Sequence, residues 1–469
     1  MTPPVPPSAP VPPSAPVPPT DEAGLLGAVA ADDIRLVRFL YCDPSGVIRG
    51  KSVHADRLAG KVREGLGLTR AQNAVNVLED LVPIEGMEPV GEIRLLPDVT
   101  TYLRLPWVPR TARVLCDQVG HDLADWGGCP RAFLRRAIAA AADAGILVRA
   151  AFENEFYLAS PTPDGPAPWA NGSVYSSAGL DRASSVMADI TDALVAQGLV
   201  VEQVLNEYGS GQQEISVRYA DALSAADNQI TFRDTVRGVA ECGHGLLASF
   251  CPKPFADQIG SGAHVHFSLW SLDGSVNLLH DRADPFGLSD AGQGFLAGVL
   301  AHLPGLVALT CPSYLSYERL APHAWAGSTV SWGFDNREAA LRVSSPFHGR
   351  EMESLNVELK ASDPSSNPYL ALGGLILAGL DGLARGLSLP EPARHDPANL
   401  DPVDREACGI HPLPATQAQA MDALAGDPVL MDGLGELLGR CVLAVRRAEF
   451  ARCEQLGAPA VRAATFAVY

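Results

Sequence analysis

Three short segments of this 469-residue chain carry two polar side chains one residue apart, each in an alternating, β-prone context. Glu153 and Glu155 stand in AFENEFYL, His264 and His266 in GSGAHVHFSL, and Glu358 and Lys360 in NVELKASDP. A fourth segment, NEYGSGQQEISV, brackets a glycine-rich turn with Glu207 and Glu214, so that the two can face one another across it. Positions i and i+2 of a strand point to one face of the sheet. Five carboxylates and two imidazoles gathered on neighbouring strands make a strongly anionic interior, which is costly unless it is paired or binds metal. Hard oxygen donors with one imidazole suit Mg²⁺ or Mn²⁺ better than zinc. Any one pair alone reads as the solvated face of a strand, and a lone histidine as a satisfied core residue. The four together argue for a metal site.

A cationic set accompanies them. Arg319 opens RLAPHAW, Arg337 and Arg342 lie in FDNREAALRV, and Lys360 follows Glu358 by two residues. Arginine forks grip carboxylate and phosphate in bidentate fashion, although surface salt bridging accounts for any one of them taken singly. Basic groups beside a carboxylate-held metal are the equipment for a nucleoside triphosphate and an acidic substrate. The chain has no Walker A sequence, no G-x-G-x-x-G opening a helix, no G-x-S-x-G and no C-x-x-C. Phosphates, if bound, must therefore be held by metal and arginine and not by a glycine loop.

These residues need strands to hold them. Alternation predicts strands over residues 148–158, 200–217, 263–269, 339–343 and 357–361, with helices over 184–196 and 219–242 between them. Upstream, the alternating run at 34–41, the turn Asp43-Pro-Ser-Gly46 and the returning run at 47–53 predict a hairpin. Residues 130–144 predict an amphipathic helix opened by a proline in its first turn, and the last hundred residues are mostly helical. The expected organisation is a Pro-rich tail at 1–23, a small α+β domain at 24–120 and a larger α+β catalytic domain at 121–469. The tail repeats PVPPSA from Pro4 to Pro19 and favours extended polyproline II. It reads as a dispensable tail or as a ligand for a proline-reading module.

Bulk composition narrows the partners. The net charge of −19, from 35 basic and 54 acidic residues, argues against a nucleic-acid partner, which needs a concentrated basic footprint. Nine scattered cysteines without a C-x-x-C pair read as reduced thiols in a cytoplasm. The N-terminus lacks the features of a signal peptide, and the longest apolar stretch, near residues 370–380, is too short and glycine-rich to span a bilayer. A soluble, cytoplasmic protein is expected.

The order FENEFYL, NEYGSGQQE, FCPKPF, GSGAHVHFSL, RLAP, DNREAALRV and VELKASDPSSNPYLAL resembles the glutamine synthetase superfamily from about residue 24 onward. The resemblance implies a small N-terminal β-grasp domain and a catalytic α+β domain whose curved antiparallel sheet forms a half-barrel. It also implies a homo-oligomer, a dodecamer of two stacked six-membered rings whose sites are completed by a neighbour's small domain. Carried over residue by residue, it implies metal ligands Glu153, Glu155, Glu207, Glu214, His264 and Glu358, holding two to three Mg²⁺ or Mn²⁺ ions. His266 and Ser268 would contact ATP, and Arg337 and Arg342 would stabilise the phosphoryl group in transfer. Arg319, Gly260, Lys360 and Trp325 would line the substrate site, with Arg319 on the glutamate α-carboxylate. The implied reaction phosphorylates the γ-carboxylate of glutamate, and an amine then attacks the acyl phosphate.

Departures from the family pattern bear on the amine. Ammonia-using members carry an aspartate in the small domain and a glutamate on the flap after RLVP. Here those places hold GLGLTRAQ (residues 65–72), with no carboxylate, and Trp325. Ile259 replaces an asparagine before GSG, and Lys360 stands where an arginine is usual. An aromatic face suits an organic amine through apolar area and cation–π attraction, worth about 0.5–2 kcal/mol. The expected activity is an ATP-dependent γ-glutamyl–amine ligase. Ethanolamine is favoured over methylamine or polyamines, because no added acid groups for a second charge stand at Leu68, Thr69, Arg70 or Trp325. The alternatives are a true glutamine synthetase and a non-catalytic relative. Residues 390–414 contain no tyrosine, so control by adenylylation is not expected.

Overall fold

The alternating run at 34–41 becomes the strand Leu36–Cys42 (β1), whose Val37, Phe39 and Tyr41 pack into the small core beneath the first sheet while Leu40 and Cys42, on the other face, join the large core. At the turn after it, Asp43 Oδ1 accepts from the backbone N–H groups of Ser45 (2.9 Å) and Val47 (3.0 Å), and Gly46 takes φ +80°. The chain returns antiparallel as Ile48–His54 (β2), as the hairpin reading predicts. Leu66–Thr69 (β3), Glu92–Arg104 (β4) and Thr111–Val119 (β5) complete a sheet of order β2-β1-β5-β4-β3, in which β1 and β5 run parallel. Its apolar face closes over the helices Glu22–Ala31 and Leu58–Glu64, with Leu25, Val37, Phe39, Leu58 and Val114 fully buried. This is the β-grasp arrangement. The computed structural model describes residues 18–170, 173–407 and 409–469; the PVPPSA repeat lies almost wholly outside them.

The second sheet is curved and ten-stranded. Its axis is Ile146–Ser160 (β6), where Val148, Ala150, Phe152, Asn154 and Phe156 are buried while Leu147, Arg149, Ala151, Glu153 and Glu155 are half-buried on the other face. Short strands Ala167–Pro168 (β7), Ala220–Asp221 (β10) and Leu247–Ser249 (β11) pair with β6 off the main path. The path itself joins Val201–Asn206 (β8), Gln212–Val217 (β9), β6, Ala263–Ser271 (β12) and Asn356–Leu359 (β16), then Leu341–Ser344 (β15) and Trp332–Phe334 (β14). The expected strand over 200–217 is thus two strands folded back at the glycine-rich turn. A separate pair joins Thr329–Val330 (β13) to His411–Pro412 (β17).

Helices cover the apolar face. The predicted helix over 130–144 is Pro130–Asp143, with proline in its first turn, and the one over 219–242 is Ala222–His244. Ser177–Ala196 starts earlier than periodicity predicts, because the Ser176 hydroxyl caps it by accepting from Gly179 N (3.1 Å). Asp290–Thr310 is long and apolar enough by composition to cross a membrane. It packs instead against Pro368–Arg385, where Gly298 and Gly382 bring the two backbones together. A Cβ on Gly298 would strike the Ala378 carbonyl oxygen. Arg131, almost fully buried, ties the two sheets' territories together through Asp98 (2.8 Å), Asp117 (3.1 Å) and Asp227 (2.8 Å).

Candidate active site

Register turns the sequence pairs into a ladder across the open face of the curved sheet. Glu153 stands opposite His264, Glu155 opposite Glu214, and Glu358 opposite both His266 and Arg342. Directly opposed residues hold their Cβ atoms about 5 Å apart, within reach of one another and of a shared ion. His264 Nδ1 lies 3.2 Å from Glu153 Oε2 and 3.1 Å from Glu358 Oε1. His266 Nε2 lies 3.3 Å from the same Glu153 oxygen, and its Nδ1 meets Asn356 Oδ1 at 2.8 Å. Ligand atoms of Glu153, His266 and Glu358 all fall within 4.8 Å of one another. His266, assigned above to the nucleotide, therefore stands as close to the carboxylates as His264 does.

The turn between β8 and β9 brings in the remaining carboxylates. Gly211 takes φ +79°, and Gly209 packs on the Tyr157 ring where no side chain fits, so Glu207 and Glu214 end on the same side. Tyr208 N donates to Glu207 Oε2 (3.1 Å). Gln212 Nε2 donates to Glu155 Oε2 (3.1 Å) and to the Gly260 carbonyl (3.1 Å), while Gly262 N donates to Glu155 (2.8 Å).

Charge in this cluster is unbalanced. Burial first, and then Glu153 and Glu155, push the Glu214 carboxyl up to about 10. Burial and Glu155 push Glu207 up to about 7. Burial would also raise Glu153 and Glu358. Hydrogen bonds from the two imidazoles outweigh it at Glu153, as Lys360 and His264 do at Glu358, and both stay well below the usual carboxylate range. Carboxyls lifted this far by burial and by one another mark a donor set short of positive charge, and a hard divalent cation fits it.

The cations divide into two groups. Arg342 Nε pairs with Glu358 Oε2 (2.7 Å) and Lys360 Nζ with Glu358 Oε1 (3.1 Å), so both lie against one buried carboxylate. Arg319, 5% exposed, donates through Nη2 to His264 Nε2 (3.0 Å) and to the Lys360 carbonyl (3.2 Å). Its Nη1 has no hydrogen-bond partner among the described residues. Since arginine only donates, His264 Nε2 accepts from it, and Nδ1 is the nitrogen that faces the carboxylates. Gly260 packs under Arg319, where a Cβ would lie 2.7 Å from Arg319 Cγ.

These groups line a cavity of about 390 Å³. Its walls include Glu153, Glu155, Glu207, Glu214, His264, Gly260, Arg319, Lys360, Trp325 and Arg337. His266, Arg342 and Glu358 adjoin it behind that wall. Ser268 lies further along β12, and its hydroxyl accepts from Trp270 Nε1 (2.9 Å). Trp325, 43% exposed, meets the Tyr208 ring edge-on at 5.7 Å, and the Arg337 guanidinium lies 6.0 Å from the indole. Sequence reasoning missed Tyr175, Tyr208, Gln212 and Glu338. Tyr208 and Gln212 flank recognised glutamates and were findable by adjacency. Tyr175 arrives from a loop with no pattern, and Glu338 was masked by the arginine before it.

The glutamine synthetase catalytic-domain family model matches residues 127–461, and the glutamine synthetase N-terminal-domain model matches residues 24–131. The chain is 38% identical over 444 residues to a gamma-glutamylpolyamine synthetase of Streptomyces coelicolor, covering 94% of this chain and 95% of the relative. It is 36% identical over 438 residues to a glutamine synthetase of Halobacterium salinarum, covering 92% and 93%. A solved structure of a novel glutamine synthase homologue superposes with a TM-score of 0.82 at 32% identity, over 92% of this chain and 97% of that one. A GmaS–ADP complex superposes with a TM-score of 0.81 at 29% identity, over 94% and 97%.

Proposed function

This chain belongs to the glutamine synthetase family and is a glutamate–amine ligase, and from that premise we propose that its acceptor is an organic amine and not ammonia. The observation that carries the proposal is Trp325. On the cavity wall, where ammonia-using relatives are expected to hold a carboxylate, it offers an indole packed against Tyr208. Ammonium is small and held by charge, whereas an alkylamine is held by its carbon skeleton against such a face.

The family uses ATP and a divalent metal. We assign the metal, Mg²⁺ or Mn²⁺, to Glu153, Glu155, Glu207, Glu214, His264 and Glu358. When bound it neutralises charge on the phosphoryl group in transfer. Around it, Arg319 offers its unpartnered Nη1 to the glutamate α-carboxylate, while Gly260 leaves room for that arginine and Lys360, on the substrate side, pairs with Glu358. His266 and Ser268 are assigned to the nucleotide side, and Arg337 and Arg342 to the transferring phosphate. Attack by the amine on γ-glutamyl phosphate then forms the amide and releases phosphate.

Among amines we favour a short monoamine such as ethanolamine. The second reading is a polyamine, favoured by the activity in the name of the Streptomyces coelicolor relative. We extend the proposal to a dodecamer of two hexameric rings, supported by the family likeness, and to a reducing cytoplasm, supported by thiols that are mostly buried. The deciding assay is phosphate release from ATP and glutamate with ammonium, methylamine, ethanolamine, putrescine and spermidine in turn. Turnover with an organic amine and little with ammonium is expected. Strong turnover with ammonium would make this a glutamine synthetase, and a silent panel with ATP still bound would favour a non-catalytic role.

A further inference from the structure

The flap that carries Trp325 is held in an unfavourable backbone shape. His323 takes φ +60° and Trp325 φ +53°, a left-handed region that is strained for a non-glycine residue. Such a shape persists only where its surroundings over-determine it. Three contacts do so. The Glu338 carboxylate accepts from Trp325 N at 3.1 Å. His323 Nδ1 meets Asp396 Oδ2 at 2.8 Å. Gly327, at φ +69°, sits so close to the following segment that a Cβ there would lie 2.7 Å from Ala340 Cα. Residue 337, immediately before Glu338, brings its guanidinium to 6.0 Å from the same indole. One two-residue step thus holds Trp325 by its backbone and covers its ring.

We propose that Glu338 is a positioning residue for the amine acceptor: by accepting the Trp325 N–H it holds the indole on the cavity wall. The idea rests on the reading of Trp325 as the acceptor face. Glu338 itself is absent from the cavity lining and reaches the flap backbone, so its role passes through Trp325 and needs an acceptor oxygen, not a charge. Asp396 does the same work from the other side through His323.

The test compares E338A, E338Q and D396A in the full-length enzyme, measuring KM for the amine that wild type prefers, KM for glutamate, and kcat. Loss of the backbone contact in E338A is expected to raise the amine KM about tenfold while glutamate KM moves less than about twofold. E338Q, whose amide oxygen still accepts, is expected to restore most of the wild-type amine KM. D396A gives an independent reading, with a smaller selective rise, if E338A proves too unstable to assay. An amine KM in E338A within about twofold of wild type would overturn the proposal. So would an E338Q as impaired as E338A, because a charge and not a hydrogen bond would then be at work. The acceptor class is decided separately, by the wild-type panel, and the variant-to-wild-type ratio is read on whichever amine wild type uses.

Discussion

At the scale of single residues, the site is a contest over positive charge. Glu358 has Lys360, Arg342 and two imidazoles around it, whereas Glu214 has no cation beside it among the described residues and is pushed up to about 10 by burial first and by Glu153 and Glu155 after it. Arg319 stands apart from that contest, with one nitrogen spoken for by His264 and another unclaimed. We therefore expect Arg319→Lys, which keeps the charge and loses the fork, to raise the KM for glutamate by about tenfold or more while leaving KM for ATP within about twofold. Steady-state kinetics with each substrate varied in turn would check it, and an equal rise for both substrates would assign Arg319 to the metal cluster and not to glutamate.

At the scale of elements, positions that look featureless carry the architecture. Alternation along β6 assigns Phe152, Asn154 and Phe156 to the core and Glu153 and Glu155 to the cavity, so a slip of one residue would invert the site. The helix pair Asp290–Thr310 and Pro368–Arg385 supports the sheet from behind through a glycine seam. A side chain there forces the helices apart. Gly298→Val is expected to destabilise the protein by about 2–3 kcal/mol or to prevent folding. Gly145→Ala, whose Cβ meets nothing within 4 Å, costs only the strain of its φ of +79°. Chemical denaturation of the two variants should separate them, and comparable losses would contradict the seam.

At the scale of the whole molecule, buried ion pairs join parts far apart in sequence. His302 reaches Asp427 through Nδ1 (2.6 Å) and Asp381 through Nε2 (2.9 Å), linking three helices. The Asp427 hydrogen bond first, and Asp381 after it, outweigh burial and hold the His302 pKa above its ordinary 6.5. A raised folded-state pKa means stability that is fully present below the unfolded value of 6.5 and is lost as pH rises through the folded value. The difference in melting temperature between wild type and His302→Gln should thus be widest below pH 6.5 and narrow at alkaline pH. A gap that grew with pH would show that the histidine is buried neutral.

Much of this was legible beforehand. The chemistry of the donors, the i and i+2 spacing that puts them on one face, the proline that opens the helix at 130, and the order of motifs are all local properties that a sequence carries in full. The hairpin at Asp43–Gly46 and the paired glutamates of β6 fall where the residues predict. What the sequence could not contain is distance between residues far apart along it. That Glu153 faces His264, and Glu155 faces Glu214, is a matter of register between residues far apart along the chain. The elevation of Glu214 follows from that register and from burial, so no spacing could announce it. Glu338 shows the same limit, since its meaning lies in a backbone N–H thirteen residues earlier, on a flap whose left-handed turns only the packed molecule can enforce.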